Sequence, residues 1–240
     1  KPTLIKILAG AYQPDGGELL LDGQPIHRRA PLHGQTYGIG TVYQEVNLLP
    51  NRSVAENLFL GRQPTRFGMV DRKRIDAAAK DLLSRYGLNI DVRAELSDYS
   101  VAVQQIVAIA RAVELSGKVL VLDEPTASLD RNEVQRLFDV VRSLKANGLA
   151  IIFITHFLDQ VFDLADRVTI LRNGKKVSSQ PLNTLNTTDV VRLMLGKDVA
   201  FDHHPTALSG GPKGAVRVAF QNLSRKGVAP FDLAVHEGEA

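Results

Sequence analysis

There is no cysteine among the 240 residues, and no tryptophan. The first absence removes disulfides and thiolate metal sites and fits a reducing compartment. Long hydrophobic runs are missing as well: the longest, "VLVL" and "LAIIFI", are far too short to span a bilayer. Neither sign of charge dominates, with 29 Lys and Arg against 26 Asp and Glu and a net charge of +3. A balance so small and so scattered leaves no electrostatic footprint for nucleic acid. The longest basic run, Arg72-Lys73-Arg74, is bracketed by Asp71 and Asp76 and reads as a solvated helix start. An initiating methionine is lacking too. The chain opens on Lys1-Pro2, with Leu4, Ile5, Leu8 and Ala9 recurring at helical spacing and Gly10 as the stop. A helix with nothing in front of it gives the expectation of an N-terminally truncated chain.

What is present is ordinary for a folded domain: 44% hydrophobic and 23% charged residues, in a length sufficient for one large core or two small ones. "PDGGELLLDG" reads as turn, short strand, turn, and "IGTVY" as a strand. A helix-rich middle follows. Ser53 caps a short helix carrying Val54, Leu58 and Phe59. "DRKRIDAAAKDLLSRYG" sets Ile75, Ala78, Ala79, Leu82 and Leu83 on one face, and Gly87 ends it. "AVQQIVAIARAVEL" carries Ile106, Val107, Ala110 and Val113 as a stripe. "KVLVLDEP" is apolar throughout its core, as a buried parallel strand should be. Next come a helix with Val134, Leu137, Phe138, Val141 and Leu144 inward, a second buried strand "LAIIFITH", a short helix "LDQVFDLADR" and a hairpin turning at Asn173-Gly174. Strand, helix, strand in this order predicts an α/β fold with a mostly parallel core sheet.

Chemistry concentrates in "VLVLDEPTASLD". A buried strand ends in two adjacent carboxylates, Asp123 and Glu124, and ligands gather at the carboxyl ends of parallel strands. One acid there can hold Mg²⁺ against phosphate oxygens, and the other can orient and deprotonate a water. His156, in "FITHF", lies one strand–helix–strand unit later and falls at the same edge, where an imidazole can bond a terminal phosphate and the attacking water. Ser100 precedes the helix of "YSVAVQQ", whose exposed amides suit an anion. Gln44, after the strand "GTVY", has an amide oxygen that could join a metal's shell. "K-P-T" at the start has the tail of the phosphate loop G-K-[ST] without its glycines, so that Lys1 would bind phosphate and Thr3 would donate its amide and hydroxyl.

Taken together, Gln44, "YSVAVQQ", "VLVLDEPTASLD" and "ITH" resemble the ATP-binding-cassette ATPases in order and spacing, over nearly the whole chain. "SVAENLFLGR", "MVDRKRIDAAAKDLLSRYGLNIDV" and the atypical "YSVAVQQ" are similar to one branch, the ATPases of bacterial monosaccharide importers of the galactofuranose, ribose and galactose types. The resemblance implies a P-loop NTPase cassette with an antiparallel β subdomain and a helical subdomain at about residues 45–115. It implies a first cassette over residues 1–197, a linker at 198–213 and the start of a second cassette at 214–240. It also implies an enzyme that hydrolyses Mg-ATP at a cassette–cassette interface to energise sugar import. On that analogy Asp123 and Gln44 serve Mg²⁺, Glu124 is the general base and His156 contacts the γ-phosphate. Lys1 and Thr3 hold the phosphates of the same ATP. Ser100, with Ala102 and Gln104 in its loop, touches ATP held by the opposite cassette, and Asp130 lies at the dimer seam. The implied partners are membrane permease subunits, a periplasmic sugar-binding protein acting through them, and a second cassette in the same chain or a homodimer. The implied place is peripheral, on the cytoplasmic face of the bacterial inner membrane.

The chain departs from the family pattern at Pro2, where the family has a hydroxyl residue that ligates Mg²⁺; proline supplies neither hydroxyl nor amide hydrogen. Val101, Ala102 and Val103 stand where the family prefers Gly, Gly and Gln. Two other readings stay open at this level. One is a soluble tandem-cassette ATPase acting on ribosomes or nucleic acid, and the other is an inactive fragment.

Overall fold

A computed structural model describes residues 2–26, 37–43, 47–196, 216–225 and 228–236. The chain forms two units, Lys1–Gly196 and Lys197–Ala240. Lys1, Gln44 and the expected linker at 198–213 lie outside the described residues.

The first unit is built on three parallel strands: β3 (Ile39–Val42), β6 (Val119–Asp123) and β7 (Ala150–Ile154), in the order β3-β6-β7. Val42 pairs with Leu122, Leu122 with Phe153 and Asp123 with Ile154, so the carboxyl ends of all three strands share one rim. β6 is the central strand, and its side chains alternate as the pleat requires. Leu120 and Leu122 pack with α4 (Val101–Ser116) and α5 (Arg131–Ala146), while Val121 faces Ile5 of α1 (Pro2–Leu8) on the other side. A strand covered on both faces must be apolar throughout, which is why "VLVL" reads as it does.

α4 is buried on two sides rather than along one stripe. Val107 and Ala110 join a cluster with α2 (Val54–Leu58) and α3 (Arg72–Ser84), whereas Ile106, Ile109 and Ala112 join the cluster on the sheet. Small residues let it come close to β3. A Cβ on Gly40 would sit 2.8 Å from the Ala112 carbonyl oxygen, so only glycine fits there. The helical part is closed by polar anchoring as well as by apolar contact. Ser53 and Glu56 form a reciprocal cap on α2. Asn57, fully buried, accepts from the Leu49 N–H at 2.7 Å and donates to the Leu49, Arg52 and Ser53 carbonyls.

β7 departs from expectation. The second strand was expected to be buried; instead Ala150 and Ile152 are exposed, the latter at 37%. Among the described residues β7 pairs on one side only, and its other side opens onto a groove of about 580 Å³ walled by Leu4, Leu8, Val168, Ile170 and Met194. An apolar strand reports burial on average; it does not report which edge is covered.

Three short antiparallel pairs flank this frame: β1 (Leu20–Leu21) with β2 (Gln24–Pro25), β4 (Thr65–Arg66) with β5 (Met69–Val70), and β8 (Arg167–Arg172) with β9 (Lys175–Pro181). Each turns through two residues of positive φ, namely Asp22-Gly23, Phe67-Gly68 and Asn173-Gly174. That backbone matches the twist of a two-residue hairpin. α6 (Leu158–Leu164) and α7 (Thr187–Leu195) complete the unit. In the second unit β10 (Val216–Arg225) and β11 (Val228–His236) form an antiparallel pair with irregular register. Among the described residues no helix is long and apolar enough to cross a membrane.

Candidate functional site

β6 delivers Asp123 as its last residue and Glu124 immediately beyond. Glu124 has a φ of 48°, the left-handed region, which an L side chain enters at a cost of about 1 kcal/mol. The backbone is held there from two sides: the Glu124 N–H donates to the Ile154 carbonyl at 2.9 Å, and the Ala127 N–H donates back to the Glu124 carbonyl. This hydrogen bond carries the β6–β7 ladder one residue past the strands, so the end of β7 fixes the start of the acidic loop.

His156 lies two residues beyond β7. Its Nδ1 is 3.2 Å from Glu124 Oε1. The His156 side chain is 53% exposed and that of Glu124 24%, so the pair sits at an open mouth with the carboxylate deeper than the ring. The Phe157 ring lies 4.1 Å from the imidazole, centroid to centroid. Asp123, half-buried, is electrostatically close to Tyr43 at the end of β3. Burial pushes the Tyr43 phenol up from its ordinary range, the Asp123 carboxylate adds to the rise, and Lys6 of α1 opposes it. Three strand ends and one helix therefore converge on the rim where Asp123, Glu124 and His156 stand.

The other candidates are placed as follows. Thr3 is exposed in the first turn of α1, two residues before the buried Ile5 that seats this helix on β6. Ser100 is the N-cap residue of α4, exposed, and its hydroxyl makes no capping bond. Ala102, in the first turn of α4, is only 5% exposed and packs into the fold. Gln104 donates its side-chain N–H to the Tyr99 carbonyl at 2.9 Å, which ties the loop to the helix. Asp130 caps α5, accepting from the Glu133 N–H at 2.8 Å while Glu133 returns the bond to the Asp130 N–H. The structure thus brings Asp123, Glu124 and His156 together and gives Gln104 and Asp130 local duties besides.

Sequence reasoning missed the polar layer beneath the rim. Thr126, 4% exposed, donates to Gln160 Oε1 at 2.8 Å, and Thr155 donates to the same oxygen at 3.1 Å. A threonine two places after an acid carries no signal by itself, and the partners lie on different elements.

The donor chemistry fits a hard cation bound together with phosphate. Among the described residues no group of three or more His, Asp or Glu could form a cage. Mg²⁺ is commonly held by one or two carboxylates plus substrate phosphates, which is the mode a single rim aspartate allows.

Comparison with known proteins identifies relatives of the chain. The chain is 51% identical over 246 residues to the galactofuranose transporter ATP-binding protein YtfR of Escherichia coli (strain K12), covering all of this chain and 48% of that protein. It is 44% identical over 240 residues to the ribose import ATP-binding protein RbsA 1 of Rubrobacter xylanophilus, covering all of this chain and 47% of the relative. The chain thus spans about half the length of the curated relatives it matches. Among solved structures, the ADP conformation of MJ1267, an ATP-binding cassette of an ABC transporter, superposes with a TM-score of 0.68 at 25% identity, covering 82% of this chain and 84% of that one. A nucleotide-free ATP-binding cassette from an ABC transporter matches with a TM-score of 0.67 at 22% identity and shows the same fold. With the family's sequence model also matching residues 1–127, more than half of its length, the chain belongs to the ABC transporter family.

Proposed function

We propose that this chain is the ATP-binding and ATP-hydrolysing part of a bacterial sugar importer. The observation that carries the reading is the meeting of Glu124 and His156, 3.2 Å apart, beside Asp123 on the carboxyl rim of a parallel sheet. Mg²⁺, when bound, would be held by Asp123 with Gln44 and would neutralise charge on the phosphate oxygens. Glu124 orients the attacking water and takes its proton; its half-buried carboxylate is aimed by a backbone held by the Ile154 carbonyl and the Ala127 N–H. His156, held at Nδ1 by Glu124, has its other nitrogen left for the terminal phosphate. Lys1 and Thr3 hold phosphate oxygens of the same nucleotide. Ser100, with the amides of Ala102 and its neighbours, serves the nucleotide of an opposing cassette, and Gln104 and Asp130 steady that loop and the seam.

The opposing cassette is a second one in the same protein or a second copy. Permease subunits, and through them a periplasmic sugar-binding protein, complete the assembly, with this chain at the cytoplasmic face of the membrane. Relatives named for galactofuranose and ribose import support the sugar class. The test is ATP turnover by the whole protein assembled with its permease. Glu124→Gln is expected to lower hydrolysis about 100-fold or more, roughly 2.7 kcal/mol in barrier, while nucleotide binding persists. Undiminished turnover by Glu124→Gln would end the assignment of the base.

A further inference from the structure

We propose that Gln160 is a positioning residue that locks the Glu124 loop to the His156 loop and thereby sets their separation; the inference rests on the hydrolytic reading of that pair. The contact between Glu124 and His156 does not hold itself. A side-chain contact with one partner 53% exposed is too weak to fix two loops. What lies beneath is stronger. Gln160, on α6 and 8% exposed, puts one carbonyl oxygen between two hydroxyls, Thr126 at 2.8 Å and Thr155 at 3.1 Å. An amide oxygen has two lone pairs, so both are used.

Thr126 is two residues past Glu124, and Thr155 is one residue before His156. The Phe157 N–H in turn donates to Thr155 Oγ1 at 3.1 Å. A continuous chain of hydrogen bonds therefore runs from the far side of His156, through Thr155 and Gln160, to the far side of Glu124. Together with the Glu124 N–H bond to Ile154 it closes a ring around the pair. Loss of the central acceptor would strand the buried Thr126 hydroxyl and cut the link to Thr155, and the Glu124 loop would move to find water.

Both bonds accept at the oxygen, so Gln160→Glu keeps them and Gln160→Leu removes them. Amide hydrogen exchange at Glu124 and Phe157, measured without nucleotide, reads the ring directly. ATP turnover by the whole protein reads its consequence. In Gln160→Leu the two amides should exchange at least about tenfold faster, with kcat down about tenfold and the KM for ATP within about twofold. Gln160→Glu should stay within about threefold of the parent in every measure. Thr126→Val, close in shape to threonine, is the second variant should Gln160→Leu not fold. It should loosen the Glu124 amide alike, and where both fold it should add little to Gln160→Leu in the double variant. Unchanged Glu124 exchange in the folded variants, or Gln160→Glu as impaired as Gln160→Leu, would overturn the proposal. A parent protein that hydrolyses nothing while showing the exchange pattern would overturn the hydrolytic reading and leave the lock standing.

Discussion

The helical cluster around α2, α3 and α4 and the rim around Glu124 and His156 hold themselves together by opposite means. In the cluster the apolar residues recur at helical spacing, the helix ends are capped within their own segments, and the buried Asn57 pins a loop only a few residues away. At the rim one residue sits in a strained backbone, His156 stands half open to water, and the bonds that join the Glu124 loop to β7, His156 and Gln160 cross between segments about thirty residues apart in sequence. Local consistency builds a scaffold. A site is built where local preference is overruled and neighbouring elements bear the cost.

Glu124→Gly is the sharpest way to break this contrast. Glycine accepts a φ of 48° without strain, so folding stability should hold or rise by up to about 1 kcal/mol, while turnover falls about 100-fold or more. Chemical denaturation beside an ATPase assay checks both halves. The corresponding change in the scaffold works the other way. Asn57→Leu should lower stability by about 3 kcal/mol, because the Leu49 N–H and three carbonyls lose a buried partner together. Urea midpoints at constant slope would show it. Gly40→Ala should lower stability by about 2 kcal/mol, since its methyl meets the Ser116 hydroxyl at 2.6 Å and also the Ala112 carbonyl at 2.8 Å, a backbone atom that cannot swing away.

The smallest effect concerns Tyr43, just past β3 at the rim. Its phenol is raised in the folded state by burial and by Asp123, so the folded protein binds that proton more tightly than the unfolded chain does. Stability is complete below pH about 10 and falls as pH rises through the folded value, and Tyr43→Phe should lessen that fall. Tyr86, raised by burial and Glu114, leaves a remainder. Thermal melts between pH 9 and 11 measure it, on the order of a degree or two.

Much of the frame could be read from residues one after another. "VLVLD" announces a buried strand ending in acids, Ser53 announces a helix start, and Asn173-Gly174 announces a hairpin. The β4–β5 hairpin could not be read so, because Phe67-Gly68 is not a usual turn pair and Phe67 takes a φ of 52° that its ring disfavours. Its ring is 90% exposed beside the Arg66 guanidinium.

At the candidate site, the residues that gather at the rim were legible and the support beneath them was not. Asp123, Glu124 and His156 stand out because two acids after an apolar strand, and a histidine after the next one, have few uses other than a ligand. Thr126, Thr155 and Gln160 are common residues at unremarkable spacings, and only the packing of α6 under the rim joins them.

By itself the sequence determined most of the elements and the rim on which the candidate side chains would fall, because periodicity and strand direction follow from local stereochemistry. The tertiary structure alone decided the 3.2 Å approach of His156 to Glu124, the backbone strain that aims the carboxylate and the single buried oxygen that joins their loops. Those are relations between residues that meet only when the sheet has formed, and no spacing along the chain encodes a distance across it.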